Sequence, residues 1–310
     1  MTQTVAIIGA TGLQGGSVLR ALHETGKYNL IAVTRNTSSD SALEIKSKYP
    51  GVKLVQANLN DVESLKEAFS GADVVFGTTL FAQPDVLERV AAGDLDAEFN
   101  QGKNATDAAI AVGVKDIIFS TIYSVSELSN GKYTKVYPFE GKDKIEKYIR
   151  SKSSEIRSVF VHLGTYMENF VRFSRISSED NKTVEFTIPA KPTTRIALVD
   201  TKRDTGGVVA YILDNFDEFV GRSIEVSSGY YEIQELATAF TEATGVPSRY
   251  VQVPYDYFNN EVLAQMFKSF EEFGYYGWRT DFLELNKKMS YKHTTPIEYW
   301  RNRGWTGPSQ

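Results

Sequence analysis

The sequence predicts an α/β protein: a Rossmann-type doubly wound parallel sheet followed by a smaller α+β lobe. Three observations predict it. Brief apolar, β-branched or aromatic runs with little polar alternation recur through the first half of the chain, as strands covered on both faces do. Segments with apolar residues at helical spacing separate them, and strand, helix and strand repeated in this way mark a parallel sheet. The first strand also runs directly into a glycine-rich turn that opens a helix.

Taken in order, the expected strands of the first half are residues 4–8, 29–34, 52–56, 72–76, 115–120 and 156–163. Residues 14–25 read as a helix with Val18, Leu19 and Leu22 on one side, and 95–112 as another carrying Phe99, Ala105, Ala109 and Val112. Later the rhythm loosens. Short strands are expected at 184–188, 196–199, 224–227 and 250–253, and helices at 204–213, 232–244, 256–273 and 295–302. Pro189, Pro192, Pro247, Pro254 and Pro296 punctuate these pieces. The expected organisation is a dinucleotide-binding domain over residues 1–165, its core completed by segments within 196–228, and a smaller substrate or interaction lobe over 166–310.

Composition narrows the chemistry. The 310 residues carry 34 Lys and Arg against 39 Asp and Glu, with 42% hydrophobic residues, which is ordinary globular usage. This acidic balance argues against a nucleic-acid footprint, which needs clustered positive charge. The absence of cysteine rules out disulfides, thiol nucleophiles and thiolate metal sites. Three separated histidines, His23, His162 and His293, do not make a zinc site, so no metal is expected. No apolar run is long enough to span a membrane, and the first residues lack a basic region preceding an apolar one. The expected location is cytoplasmic or nuclear.

The strongest local signal is Gly9-Ala10-Thr11-Gly12-Leu13-Gln14-Gly15-Gly16. Gly9 allows the tight turn, Gly12 lets backbone approach a pyrophosphate, and Gly15 lets helix and strand pack closely. The helix start then offers amide donors and a positive dipole end to phosphates. At the end of the second strand an NAD site places Asp or Glu for the ribose hydroxyl. Here Thr34 is followed by Arg35, Asn36, Thr37, Ser38 and Ser39. A guanidinium fork amid hydroxyl and amide donors suits a 2′-phosphate, so NADP(H) is the expected cofactor.

These motifs resemble the NmrA-like family, atypical members of the short-chain dehydrogenase/reductase superfamily, and within it the NADPH-sensor branch. Besides the glycine turn and Val33-Thr-Arg-Asn36, the likeness rests on Asn58-Leu-Asn-Asp61, on Phe139-Glu-Gly-Lys142 with Glu146 and Tyr148, on Tyr166-Met-Glu-Asn169, and on Asp204 in Thr-Lys-Arg-Asp-Thr-Gly-Gly. The resemblance implies that Gly9, Ala10, Thr11, Gly12, Leu13 and Gln14 cradle the pyrophosphate. It places Arg35, Asn36 and Ser39 at the 2′-phosphate and Asn58 and Leu59 beside the adenine. Thr79, Leu80 and Phe81 would line the ribose and nicotinamide side. Lys142 would reach the nicotinamide ribose, and Tyr166, Met167, Glu168 and Asn169 would close over that end. A second lysine of the sensor branch is replaced by Asn100.

The superfamily's proton donor is a tyrosine four residues before a lysine, which lowers its pKa. The literal match, Tyr148 to Lys152, puts the lysine at the frayed end of its helix, and Tyr148 is expected to pack against the sheet. Lys142 fits the family position, and as the candidate catalytic residue it has Pro138 where the tyrosine belongs. Tyr133 and Tyr137 are nearby substitutes. Ser120 and Thr121 match the superfamily's serine position and are expected to hydrogen-bond cofactor or backbone. His162, inside an apolar strand, reads as a satisfied core histidine, and Asp94, Asp96 and Glu98 as the acidic start of a helix.

Two functions follow from the resemblance. The first is a redox-sensing regulator that binds NADP(H) and modulates a protein partner, since the family includes a repressor acting on GATA-type transcription factors. The second is an NADPH-dependent reductase of a small quinone, enone or aromatic carbonyl. Tyr166, Phe170, Phe173, Tyr255, Phe258 and Phe267 could line its substrate pocket. Either would act as a monomer or homodimer.

Overall fold

The structure, a computed structural model, describes residues 2–289 and 291–308. It begins β1 (Thr4–Ile8), α1 (Leu13–Thr25), β2 (Asn29–Thr34), α2 (Asp40–Lys48), β3 (Lys53–Gln56), α3 (Val62–Phe69) and β4 (Val74–Gly77). Next come α4 (Pro84–Ala91), α5 (Ala97–Ala111), β5 (Asp116–Thr121), α6 (Val125–Leu128), α7 (Tyr137–Ser151) and β6 (Arg157–Leu163). β7 (Thr165–Tyr166), a 3-10 helix over Met167–Phe173, β8 (Ser174–Ile176), β9 (Val184–Ile188) and β10 (Arg195–Val199) lead to α8 (Thr201–Asp214) and α9 (Phe216–Phe219). The chain ends with β11 (Ser223–Val226), β12 (Gly229–Glu232), α10 (Glu235–Thr244), β13 (Ser248–Gln252), α11 (Glu261–Phe273), α12 (Asp281–Lys288) and α13 (Pro296–Arg303).

Two compact units emerge. The first comprises the described residues up to 124 with 137–162 and 205–224, and the second 125–136, 163–204 and 225 onward.

The first unit is built on the sheet β11-β6-β5-β4-β1-β2-β3, in which the six strands from β6 to β3 pair in parallel. That order is the doubly wound one, with its switch point between β1 and β4. The central strands are apolar because helices cover both faces: Val5, Ala6, Ile7, Phe76, Phe119 and Phe160 are all buried. Helix starts are written in the sequence. The Ser39 hydroxyl accepts from the Ala42 amide to open α2, and the Asp61 carboxylate accepts from Glu63 and Ser64 to open α3.

The second unit holds two three-stranded sheets, β12-β10-β7 and β13-β9-β8. Its aromatic residues serve as core: Trp300 packs on Phe186, Phe240 and Trp305, and its indole N–H donates to the Leu236 carbonyl at 3.1 Å. α13 opens with a capping box, the Thr295 hydroxyl accepting from the Glu298 amide while the Glu298 carboxylate accepts from the Thr295 amide.

Several sequence boundaries shift. The helix expected from residue 232 starts at Glu235, because Gly229–Glu232 pairs with β10 as a strand. The helix expected from 256 starts at Glu261, where the Asn260 side chain caps it. Tyr148 does not pack on the sheet. It lies half-buried on the side of α7 that meets α5, edge-on to Phe99, with its hydroxyl donated to Asp107. No described helix is long and apolar enough to cross a membrane.

Candidate functional site

The turn between β1 and α1 has the backbone that its glycines were expected to allow. Gly9 sits at φ +66°, in the left-handed region, and its carbonyl accepts from the Gly12 amide at 2.8 Å. A Cβ on Gly15 would stand 2.3 Å from the Gly9 carbonyl oxygen and 2.6 Å from that of Ile8. The third glycine is therefore what lets α1 approach β1. Gly12 precedes α1 with no side chain capping the helix start. Thr11, Gly12 and Leu13 are exposed, whereas Ala10, Gln14 and Gly15 are buried beneath them. An exposed turn of backbone at a helix N-terminus is the arrangement that receives phosphate.

Arg35 stands exposed just after β2 and donates to the Gln83 side chain. Asn36 and Ser39 shape the same turn, Asn36 by accepting from the Ser38 amide at 2.9 Å and Ser39 as the α2 cap. After β3, the Asn58 side chain accepts from the Asn60 amide at 3.0 Å, and the Leu59 carbonyl accepts from Asn104 at 2.9 Å. β4 leads to Thr78, whose methyl carbon would lie 3.5 Å from a Cβ on Gly9, so this loop borders the glycine turn. Leu80 is more than half exposed and Phe81 partly so.

Sequence reasoning missed the partner of Lys142. The Glu98 carboxylate, from the first turn of α5, accepts through Oε1 from Lys142 Nζ and from Thr79 Oγ1, the latter at 2.8 Å. Glu98 is only 1% exposed, and its Oε2 has no hydrogen-bond partner among the described residues. A Cβ on Gly141 would sit 3.1 Å from that oxygen. Glu98 is thus a buried ion-pair partner in addition to part of an acidic helix start. Burial, which the sequence does not show, distinguishes it from Asp96, which pairs with Lys144 at the surface.

At the carboxyl ends of β5 and β6, Thr121 and His162 meet Glu146 of α7. Thr121 Oγ1 and His162 Nε2 each lie 2.6 Å from Glu146 Oε2, while Ser223 and Arg150 donate to Oε1 at 2.7 and 2.8 Å. Burial alone would raise the Glu146 pKa. His162, by hydrogen bond and charge, together with Thr121 and Ser223, outweighs it and holds the carboxyl well below the ordinary range. His162 is the buried, bonded histidine that its strand implied. Ser120, one residue before Thr121, is buried as well. Pro138 stands in the first turn of α7 with Lys142 one turn further on, and Tyr137 opens that helix half-buried.

In the second unit the Tyr133 hydroxyl donates to Glu272 at 2.7 Å. Tyr166 ends β7, and Met167 is fully buried. Glu168 accepts from the Lys202 amide at 3.0 Å, with Asn169 next to it in the 3-10 helix. Asp204 is completely buried and accepts from Tyr291 at 2.9 Å and from the Thr294 hydroxyl at 2.8 Å, so this motif residue anchors the segment before α13. Burial and the nearby Glu168 and Asp204 push the pKa of Asp200 up to about 7. Among the described residues no group of His, Cys, Asp or Glu is arranged to hold a metal.

A doubly wound sheet with a glycine turn at its switch point defines a dinucleotide-fold protein. This chain belongs to the NmrA-like family, whose sequence profile matches residues 1–300. The NmrA-like family domain-containing oxidoreductase FrzB of a Cladobotryum species is 30% identical over 266 residues, covering 82% of this chain and 77% of its own. The crystal structure of NmrA, a negative transcriptional regulator solved in complex with NADP, aligns with a TM-score of 0.80 at 24% identity, covering 97% of this chain and 95% of that one. The NADPH-dependent quinone oxidoreductase QOR2 of Escherichia coli, solved with NADPH, gives 0.73 at 20% identity, over 97% and 99%. Both structures share the fold.

Proposed function

We propose that the first unit binds NADP(H) and that the protein is a redox-sensing regulator. The observation that carries the binding is the exposed glycine turn with Gly15 packed against the Gly9 and Ile8 carbonyls, and Arg35 at the end of β2. Ala10, Thr11, Gly12, Leu13 and Gln14 would hold the pyrophosphate through backbone amides. Arg35, with Asn36 and Ser39, would hold the 2′-phosphate, and Asn58 and Leu59 would flank the adenine. Thr79, Leu80, Phe81, Ser120 and Lys142 would serve the nicotinamide half. Related structures solved with NADP or NADPH support this reading.

Regulation is favoured over catalysis by the residues around Lys142. Pro138 has no proton to give, Thr121 is committed to Glu146, and the Lys142 ammonium is committed to Glu98. A signal then requires that NADP⁺ and NADPH stabilise different states, since a ligand binding both states equally shifts nothing. The partner would be a regulatory protein such as a transcription factor, with the chain acting as a monomer or homodimer in the cytoplasm or nucleus.

Arg35→Ala is expected to weaken NADP(H) about tenfold or more, the scale of one charge-assisted bidentate contact, and to leave NAD(H) nearly unchanged. Fluorescence titration of the four dinucleotides checks this, and an equal loss for both families would remove Arg35 from the 2′-phosphate.

The second reading, a reductase of a small quinone, enone or aromatic carbonyl, is supported by the naming of FrzB as an oxidoreductase. NADPH would supply the hydride, and the protein would orient the acceptor and stabilise the charge that develops on it. Screening NADPH oxidation against quinones, enones and aldehydes separates the two. Turnover that disappears in Lys142→Ala would establish the reductase, and silence alongside tight binding would exclude it.

A further inference from the structure

The Glu98–Lys142 pair lies at an unusual place for a buried ion pair. Charged side chains are rarely buried this fully, and such pairs add little stability against an apolar replacement. Glu98 is 1% exposed and the Lys142 side chain 15%. Thr79, which shares the same carboxylate oxygen, follows β4 by two residues and so stands at the carboxyl edge of the sheet, next to the loop that borders Gly9. In a doubly wound sheet a dinucleotide crosses that edge at the switch point. With the pyrophosphate on the glycine turn and the adenosine half toward β2 and Arg35, the other half runs toward the ends of β4 and β5. There, besides the Glu146 carboxylate at the end of β5, whose two oxygens both accept from donors, the chain offers the buried Glu98 carboxylate, with Oε2 unpartnered, and the Lys142 ammonium.

Oxidised nicotinamide carries a positive charge on its ring, and the reduced ring is neutral. Local protein charge therefore acts on the difference between the two forms, whatever else holds them. We propose that the Glu98–Lys142 pair sets the preference of this site between NADP⁺ and NADPH: the carboxylate favours the oxidised form and the ammonium opposes it. This rests on the reading of the first unit as an NADP(H) site and supplies the differential affinity that a sensor needs. Its signature is directional. Removing the negative charge must penalise NADP⁺ relative to NADPH, and removing the positive charge must do the reverse. A purely structural role would move both affinities together.

The test is calorimetric titration of NADP⁺ and NADPH separately into wild-type protein, Glu98→Gln and Lys142→Met. The ratio of Kd for NADP⁺ to Kd for NADPH is expected to rise about tenfold in Glu98→Gln and to fall about tenfold in Lys142→Met, the scale for a unit charge some 10 Å away at an effective dielectric constant of about 20. A ratio that stays put in both variants, or moves the same way in both, overturns the proposal. Should Glu98→Gln not fold, Lys142→Met decides alone: a fall supports the proposal, and no change or a rise overturns it. Wild-type protein that binds neither form would instead overturn the NADP(H) reading on which the proposal stands. Binding of both forms with an inert ratio overturns only the role of this pair.

Discussion

Gly15→Ala is expected to abolish saturable NADP(H) binding and to destabilise the protein by about 1–3 kcal/mol or more, the cost of forcing atoms into a packed site. The added methyl would meet two backbone carbonyls, at 2.3 and 2.6 Å, and neither can rotate away as a side chain could. Relief requires α1 to move off β1. That displaces the helix start and the Gly9–Gly12 turn together, so binding and stability fall in the same variant. Gly16→Ala is the matched control. Its Cβ would lie 3.2 Å from the Ala10 carbonyl, a contact that a shift of a few tenths of an ångström relieves. Thermal unfolding and dinucleotide titration of both variants check the expectation. Wild-type binding in Gly15→Ala would show that this turn is not the phosphate cradle.

Glu146→Ala is expected to cost about 3–5 kcal/mol, the range for removing one partner from a buried charged network. Four donors converge on its carboxylate from β5, β6, α7 and the start of β11, so the deletion leaves Thr121, His162, Arg150 and Ser223 without their shared acceptor. Urea unfolding at neutral pH measures the loss, and a change under 1 kcal/mol would contradict this account of the network. The same carboxylate fixes a sign for pH. Its pKa is held below the unfolded value of about 4.3, so its contribution is fully present above that pH. It is lost as pH falls toward the depressed folded value. In Glu146→Gln this part of the acid sensitivity should be missing.

Much of this was readable from residues alone, for identifiable reasons. β1, β2 and β9 fall at the expected residues because an apolar run bounded by turn residues has one plausible set of ends. The glycine turn was readable because its three glycines answer three separate steric needs. α2 and α3 fall where helical segments are expected between strands, but without bounds although Ser39 and Asp61 announce their starts, since their apolar stripes are short and their outer faces heavily charged. Tyr148 reads as core from its helical spacing, whereas Asp107 and Phe99 hold it half-buried between α7 and α5. Glu98 reads as part of an acidic helix start, but nothing in the sequence signals its pairing with Lys142. Its role depends on α5 and α7 meeting in space, with Lys142 44 residues further along the chain.

Titrating the purified wild-type protein with NADPH, NADP⁺, NADH and NAD⁺ at one ionic strength checks whether the glycine turn and Arg35 form an NADP(H) site. Saturable binding is expected, with the 2′-phosphorylated dinucleotides at least tenfold tighter, the scale of one charge-assisted contact. No saturable binding, or tighter binding of NADH and NAD⁺, would contradict it.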